Sequence, residues 1–189
     1  MPTIFEDDFN SYNDGDLNGQ GGWSGHTNPQ VQGIEVYEGA KAIKVENPST
    51  AGEITKSGTG LATGKIGIYF KASADVQYGV YFAIRQGTTL IDVIYSSGDG
   101  HLHMRTVDLG AYSLNTWHRI EIEWDANTNR CRGRIDDGPW SAWETAYNSF
   151  TQADTVRIYV NNVTFTTYYD YISESAYTPP VGKSRGYIF

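Results

Sequence analysis

The run Trp117-His118-Arg119-Ile120-Glu121-Ile122-Glu123-Trp124-Asp125 alternates apolar and charged residues with a period of two, which a half-buried strand produces and a helix does not. Four turn residues, Ala126-Asn127-Thr128-Asn129, separate it from Arg130-Cys131-Arg132-Gly133-Arg134-Ile135, so the pair predicts an antiparallel hairpin. Alternation places Ile120, Ile122 and Trp124 on the core face and Glu121, Glu123 and Asp125 on the other. With that loop length Asp125 faces Arg130, Glu123 faces Arg132 and Glu121 faces Arg134. This makes a cross-strand ladder of opposite charges, expected to be exposed and worth ~0.2–1 kcal/mol per pair. Cys131 falls on the core face and reads as a small packed hydrophobe.

The rest of the chain repeats the pattern. Short β-rich runs at 41–46, 64–72, 78–85, 90–95, 101–107, 117–125, 130–135, 155–160 and 166–172 are separated by Gly, Asn, Asp and Ser, at the spacing of a sandwich or barrel. None of the segments between them carries a 3.6-residue stripe. Fourteen Tyr and five Trp suit strands better than helices. A length of 189 residues supports one buried core, read as a single domain over residues 1–177. Residues 178–189, with Pro179-Pro180 and an apolar end Tyr187-Ile188-Phe189, read as an extended arm. The arm is expected to dock on its own domain or on a neighbour, giving a homo-oligomer or a place in a protein lattice.

A net charge of -8 gives no footprint for a phosphate backbone, so nucleic acid is not an expected partner. No apolar run reaches the ~18 residues of a membrane span, and Met1-Pro2-Thr3-Ile4-Phe5-Glu6 lacks the basic and apolar regions of a signal peptide. A lone cysteine excludes an internal disulfide. The Gly-, Asn- and Asp-rich segment 10–33 is a long loop that needs an anchor, either an ion or a packed Trp23. Asp14-Gly15-Asp16-Leu17-Asn18-Gly19 matches the opening of a calcium loop, but its twelfth position is Gly25 and it is no EF-hand. His101 and His103 share a strand face with Asp99 nearby, a set able to hold zinc, although a plain exposed strand is the simpler reading.

Three pieces stand in order: Phe5-Glu6-Asp7-Asp8-Phe9 with Gly15-Asp16-Leu17-Asn18-Gly19-Gln20-Gly21-Gly22-Trp23, the Trp117 hairpin ending in Ile135-Asp136-Asp137-Gly138, and Tyr169-Asp170-Tyr171-Ile172. Together they resemble the laminin-G-like branch of the concanavalin A-like lectin/glucanase superfamily, over almost the whole chain. The resemblance implies an all-β, two-sheet antiparallel jelly-roll sandwich of about six strands per sheet, often with a structural calcium (Ca²⁺) near the termini. Glu6, Asp7 or Asp8 on the first strand would then meet Asp170 on the last, with Glu6, Asp8 and Asp170 as the expected ligands. Such domains often carry a second acidic residue where this chain has Tyr171.

The superfamily includes lectins, carbohydrate-binding modules, glycosidases, lyases and phage surface proteins, so fold alone does not decide function. Glu121-Ile122-Glu123-Trp124-Asp125 is similar to the catalytic strand of laminarinase-like glucanases, which have Glu-x-Asp where this chain has Glu-x-Glu. A facing arginine keeps a carboxylate ionised, the opposite of what a general acid needs, so the expectation is a non-enzyme. Lyase chemistry of this fold would sit at Tyr95 or Tyr81 beside His103. Stacking on a glycan needs flat aromatic faces with amides nearby, and the candidates are Tyr69, Tyr81, Trp140, Trp143, Tyr168, Tyr171, Asn161 and Asn162. Asn162-Val163-Thr164 is a glycosylation sequon. The leading expectation is a non-catalytic carbohydrate-binding domain acting outside the cell or on a virion surface. A phage capsid-decoration or tail protein stands second, and a glycoside hydrolase or polysaccharide lyase third.

Overall fold

The computed structural model describes residues 3–46, 50–161 and 164–174, and these form two antiparallel sheets packed face to face, with no helix among them. In chain order the strands are β1 (Gly15–Asp16), β2 (Ser24–Gly25), β3 (Gln30–Gln32), β4 (Ala42–Glu46), β5 (Gly52–Leu61), β6 (Thr63–Ala72), β7 (Tyr81–Gln86) and β8 (Thr89–Ser96). They continue as β9 (His101–Met104), β10 (Val107–Ala111), β11 (His118–Asp125), β12 (Arg130–Ile135), β13 (Glu144–Thr145), β14 (Ala153–Val160) and β15 (Thr166–Ser173). One sheet has eight strands in the order β1-β3-β4-β15-β6-β11-β12-β13, the other seven in the order β10-β9-β8-β7-β14-β5-β2. This is the all-β jelly-roll sandwich expected. Its sheets exceed six strands because the two-residue pairs β1, β2 and β13 extend their edges.

The core lies between the sheets, where Trp23, Trp124, Tyr169, Phe9, Phe70 and Phe82 are fully buried. The long early loop is anchored from inside. Trp23 is 1% exposed, and its Nε1–H donates to Asp7 Oδ2 at 2.9 Å, which gives a buried indole the acceptor it needs. Asp7 in turn bridges to Ile172, so the start of the chain meets its last strand.

The hairpin register holds throughout: Glu121 opposite Arg134, Glu123 opposite Arg132, Asp125 opposite Arg130. Its expected exposure does not. Glu121 is 1% and Glu123 4% exposed, because residues 136–145 fold back over this face and Trp140 lies over Arg132 and Arg134 at 5.0 and 4.7 Å. At the exposed end the Asp125 carboxylate accepts from Asn127 N–H at 2.9 Å and Thr128 Oγ1–H at 3.0 Å.

Three strand expectations need correcting. The run 101–107 is two strands, since Arg105 takes a φ of 58° and turns the chain from β9 into β10. Tyr78 has a φ of 61° and stands outside β7, which begins at Tyr81. The ten-residue β5 is absent from the sequence reading because Ser57-Gly58-Thr59-Gly60 looks like a turn. Pairing with β14 and β2 makes it a strand, and Gly58 is there for close approach. Thr59 N–H donates to Ile4 O at 2.9 Å, and a Cβ on Gly58 would stand 2.4 Å from that same oxygen. Gly58→Val should therefore push the N-terminal segment off β5 and cost about 1–3 kcal/mol, measured as a lower urea midpoint with an unchanged slope.

Candidate functional site

Positions facing outward from a half-buried sheet are ordinarily polar. On the outward face of the seven-stranded sheet they read Tyr81 and Ala83 on β7, Val93 and Tyr95 on β8, and Tyr159 on β14, an apolar cluster separate from the core. The alternate residues Phe82, Ile94 and Ile158 fill the core. Pairing sets Tyr81 beside Tyr95, and Ala83 between Val93 and Arg157. The Tyr159 ring lies 5.3 Å from that of Tyr81.

Two loops complete the wall. Tyr78 reaches over the sheet from its left-handed turn, 5.3 Å from Tyr95 and 6.0 Å from Tyr81. That turn is held by Tyr78 N–H donating to Ser96 O at 2.8 Å and by Asn161 Nδ2–H donating to Gln77 O at 2.6 Å. Opposite it, a β-bulge gives β8 one residue more than β7 at Ile84 and Arg85. The carbonyls of Ile91 and Leu90 then accept from Tyr147 N–H at 2.9 Å and Asn148 Nδ2–H at 2.8 Å, which brings Tyr147 to the rim. Arg105 lies 4.5 Å over the Tyr147 ring.

The small Ala83 side chain keeps the floor low and leaves a cavity of about 320 Å³ lined by Tyr78, Tyr81, Leu90, Val93, Tyr95, Tyr147, Arg157 and Tyr159. That is near the lower end of ligand-binding clefts, ~300–1,000 Å³. Arg157 is fixed in its wall. Its guanidinium lies 5.0 Å from the Tyr81 ring and 5.1 Å from Tyr159, and its Nη1–H donates to Tyr81 Oη at 3.2 Å. Glu53 pairs with Arg157 at 2.7 Å and accepts two bonds from Arg85 at 2.8 and 2.9 Å. Burial works against that carboxyl, yet the two arginines hold it below its ordinary value. Burial also pushes the hydroxyls of Tyr81, Tyr95 and Tyr147 up, so each stays a neutral O–H that can both donate and accept. Flat rings, neutral hydroxyls and one anchored cation are what stacking on a pyranose face and bonding to its hydroxyls require.

Of the residues named from the sequence, Tyr81 and Tyr95 line this cavity, His103 lies 6.2 Å from the Tyr95 ring, and Asn161 supports the wall through Gln77. The others lie elsewhere. Trp140 and Trp143 stack on Arg132 over the opposite sheet, at 5.0 and 4.6 Å. Tyr168 sits half-buried on β15 between Lys44 and Lys71, Tyr69 faces Arg119 across β6 and β11, and Tyr171 lines an acidic concavity at the first segment. Asn162, the sequon and the arm 178–189 lie outside the described residues. The sequence reading missed Tyr78, Tyr147, Arg157 and Tyr159. For Tyr159 the signal was available, as an aromatic at an outward position of a strand whose inward positions were already apolar.

The expected calcium ligands do not converge. Glu6 and Asp8 are exposed and flank the buried Asp7, whose Oδ2 accepts from Tyr12, Trp23 and Lys56 at 2.6, 2.9 and 2.7 Å. Asp170 is 0% exposed and accepts from the N–H groups of Tyr37, Glu38 and Tyr171 at 2.8, 3.0 and 2.7 Å. Asp7 and Asp170 are already met by N–H, O–H and ammonium donors, and Glu6 and Asp8 do not join Asp170 in one cluster, so the set does not fit an oxygen cage for Ca²⁺. His101 pairs with Asp108 at 2.8 Å and His103 with Asp99 at 3.1 Å. Among the described residues no three His, Cys, Asp or Glu side chains are placed to hold a metal.

Comparison with solved structures returns a sialidase with a TM-score of 0.65 and 9% identity, matched over 93% of this chain and 19% of that one. A cellulose-induced protein, Cip1, gives 0.56 and 10% over 89% and 95%, and arcelin-5, a lectin-like defence protein from Phaseolus vulgaris, gives 0.51 and 8% over 83% and 93%. This chain thus spans about a fifth of the sialidase's length. No family model matches the sequence, and none of the curated proteins does. At these identities the likenesses show the fold, a concanavalin A-like β-sandwich.

Proposed function

We propose that this domain binds carbohydrate, without acting on it, through the tyrosine-lined cavity of the seven-stranded sheet. The observation that carries the reading is the separate apolar cluster of Tyr81, Ala83 and Val93, ringed by Tyr78, Tyr95 and Tyr159, where a sandwich ordinarily shows polar side chains to water. A lectin-like protein among the shared folds agrees with it. The non-catalytic part rests on chemistry. Glu121 and Glu123, the pair similar to a glucanase strand, are each held by an arginine, and lyase action at Tyr81 or Tyr95 would need a phenolate that burial disfavours. Membership of the laminin-G-like branch and a place outside the cell or on a virion surface belong to this same reading. The alternative of a virion structural protein rests on the arm, which lies outside the described residues.

A glycan array should return hits for the isolated protein, and calorimetric titration with the best of them should lose about tenfold in affinity for Tyr159→Ala, the worth of one stacked ring. Ala83→Leu should fill the floor and abolish binding, with near-normal melting showing that the sandwich is intact. An array without hits, or affinities unchanged in both variants, would end this reading.

A further inference from the structure

The opposite sheet carries a second, smaller cavity of about 180 Å³, lined by Tyr37, Tyr69, Trp117, Arg119, Asp136 and Asp137. Its walls are flat. Tyr37 stacks on Tyr69 with ring centroids 3.7 Å apart, and Trp117 meets Tyr37 edge-on at 5.8 Å. Arg119 lies at its base, only 2% exposed, with its guanidinium 5.2 Å from the Tyr69 ring. It lies flat on the sheet because position 67 is glycine: a Cβ there would stand 2.7 Å from Arg119 Nη2.

Arg119 is under-used. Nη2 donates to Ser173 O at 3.0 Å, but Nε and Nη1, both sealed from bulk water, have no hydrogen-bond partner among the described residues. A guanidinium cannot shed its proton, so buried N–H groups without an acceptor mark a place completed by something outside the fold. The charges around it point the same way. Lys65 at 3.7 Å, Arg119 at 3.6 Å and Arg134 all pair with the single carboxylate of Glu121, and none of the three has another ion pair among the described residues. Three cations on one buried anion leave positive charge uncompensated in a low-dielectric setting, within a chain whose net charge is -8.

We propose that this cavity is a second ligand site, distinct from the tyrosine cavity, and that it takes a sugar acid, one pyranose ring bearing a carboxylate. The carboxylate supplies the missing counter-charge to Arg119, and a small rotation of the guanidinium brings an idle N–H onto it. The ring face packs on the aromatic walls, and its hydroxyls donate to Asp137, which is exposed at the rim. Asp136 is already engaged, by His118 Nδ1 at 2.9 Å and by the Arg119 N–H at 2.9 Å. Two carboxylates at the mouth disfavour a dianion such as phosphate. The small volume admits one ring rather than a chain.

The test is nuclear magnetic resonance of the ¹⁵N-labelled full chain, following the Arg119 Nε–H signal during titration with glucuronate, glucose, acetate and phosphate. Glucuronate should produce a saturating shift, and glucose, acetate and phosphate little or none. Trp117→Ala, at the half-buried rim, should weaken the glucuronate response about tenfold. Arg119→Lys, which keeps the charge and loses the fork, should weaken it at least as much, and if that variant misfolds the rim variant still decides. No glucuronate shift, an equal response to glucose or to acetate, or an unchanged response in Trp117→Ala would overturn the proposal. Because none of these residues lines the tyrosine cavity, the result stands apart from the array experiment.

Discussion

Asp92→Asn should make this protein more stable than the parent above pH 7 and leave it unchanged near pH 4. Asp92 is 0% exposed, on β8; its Oδ1 accepts from Val93 N–H at 2.9 Å, while Oδ2 is buried and among the described residues has only the weakly donating Cys131 thiol beside the carboxyl. Burial pushes its carboxyl from 3.8 up to about 7, against the pull of the Val93 amide and Arg105. Between those two values the folded state keeps a proton that the unfolded state has lost, so stability is full below pH 4, falls as pH rises through the window, and levels off above 7. A displacement of that size corresponds to about 4 kcal/mol, or about 10 °C in melting temperature for a chain of this length. The neutral amide has no charged form to bury and should remove most of that loss. The neighbouring Cys131 thiol is itself pushed up by burial and by the Asp92 charge, and it stays protonated across the range. Asp170, also pushed up to about 7 by burial, is the contrasting case. Its two oxygens accept three amide N–H groups, which one amide oxygen cannot replace, so Asp170→Asn should destabilise at every pH. Denaturant midpoints of parent and Asp92→Asn measured from pH 4 to 8 should diverge as pH rises; parallel curves would mean that Asp92 ionises as an ordinary carboxylate.

What could be read from the sequence depended on whether local pattern or distant packing decides each feature. The β11–β12 hairpin was legible to the residue because strict alternation and a four-residue loop leave a single register. The β9–β10 turn was not, since Arg105-Thr106 carries no Gly or Asn; the left-handed Arg105 is held by tertiary partners, its carbonyl accepting from Tyr95 Oη–H at 3.0 Å and its guanidinium resting on Tyr147. β5 is likewise imposed by its neighbours against its own composition. At the candidate site Tyr81 was legible as an outward aromatic, whereas Tyr147 arrives only because the bulge at Ile84 and Arg85 frees two carbonyls for its loop. Acidic residues gave the least. That the first acidic segment, Glu6 to Asp8, runs beside the strand of Asp170 follows from the resemblance, but whether these carboxylates meet an ion or N–H donors depends on Trp23, Lys56 and the 37–38 amides, far away in sequence.

Glu121→Gln should lower stability by about 3–5 kcal/mol, several times the ~0.2–1 kcal/mol of an exposed ladder pair. The difference follows from burial. Glu121 is 1% exposed and is the shared partner of Lys65, Arg119 and Arg134, whose side chains are 19%, 3% and 19% exposed, so removing its charge leaves three cations facing one another away from water. Glu123→Gln should cost less, because its partner Arg132 is more exposed at 27% and keeps Trp140 and Trp143 as stacking neighbours. The same variant examines the proposed absence of catalysis. A glucanase acid must be free to reach the glycosidic oxygen, whereas the Glu121 carboxylate is engaged by Lys65, Arg119 and Arg134. The parent should therefore release no reducing ends from a β-glucan, and Glu121→Gln should melt lower, by about 10 °C, with no activity to lose. Hydrolysis by the parent that vanishes in a still-folded Glu121→Gln would make this strand catalytic and overturn the binding-only reading; a melting temperature within a degree of the parent would show instead that water reaches the ladder and screens it.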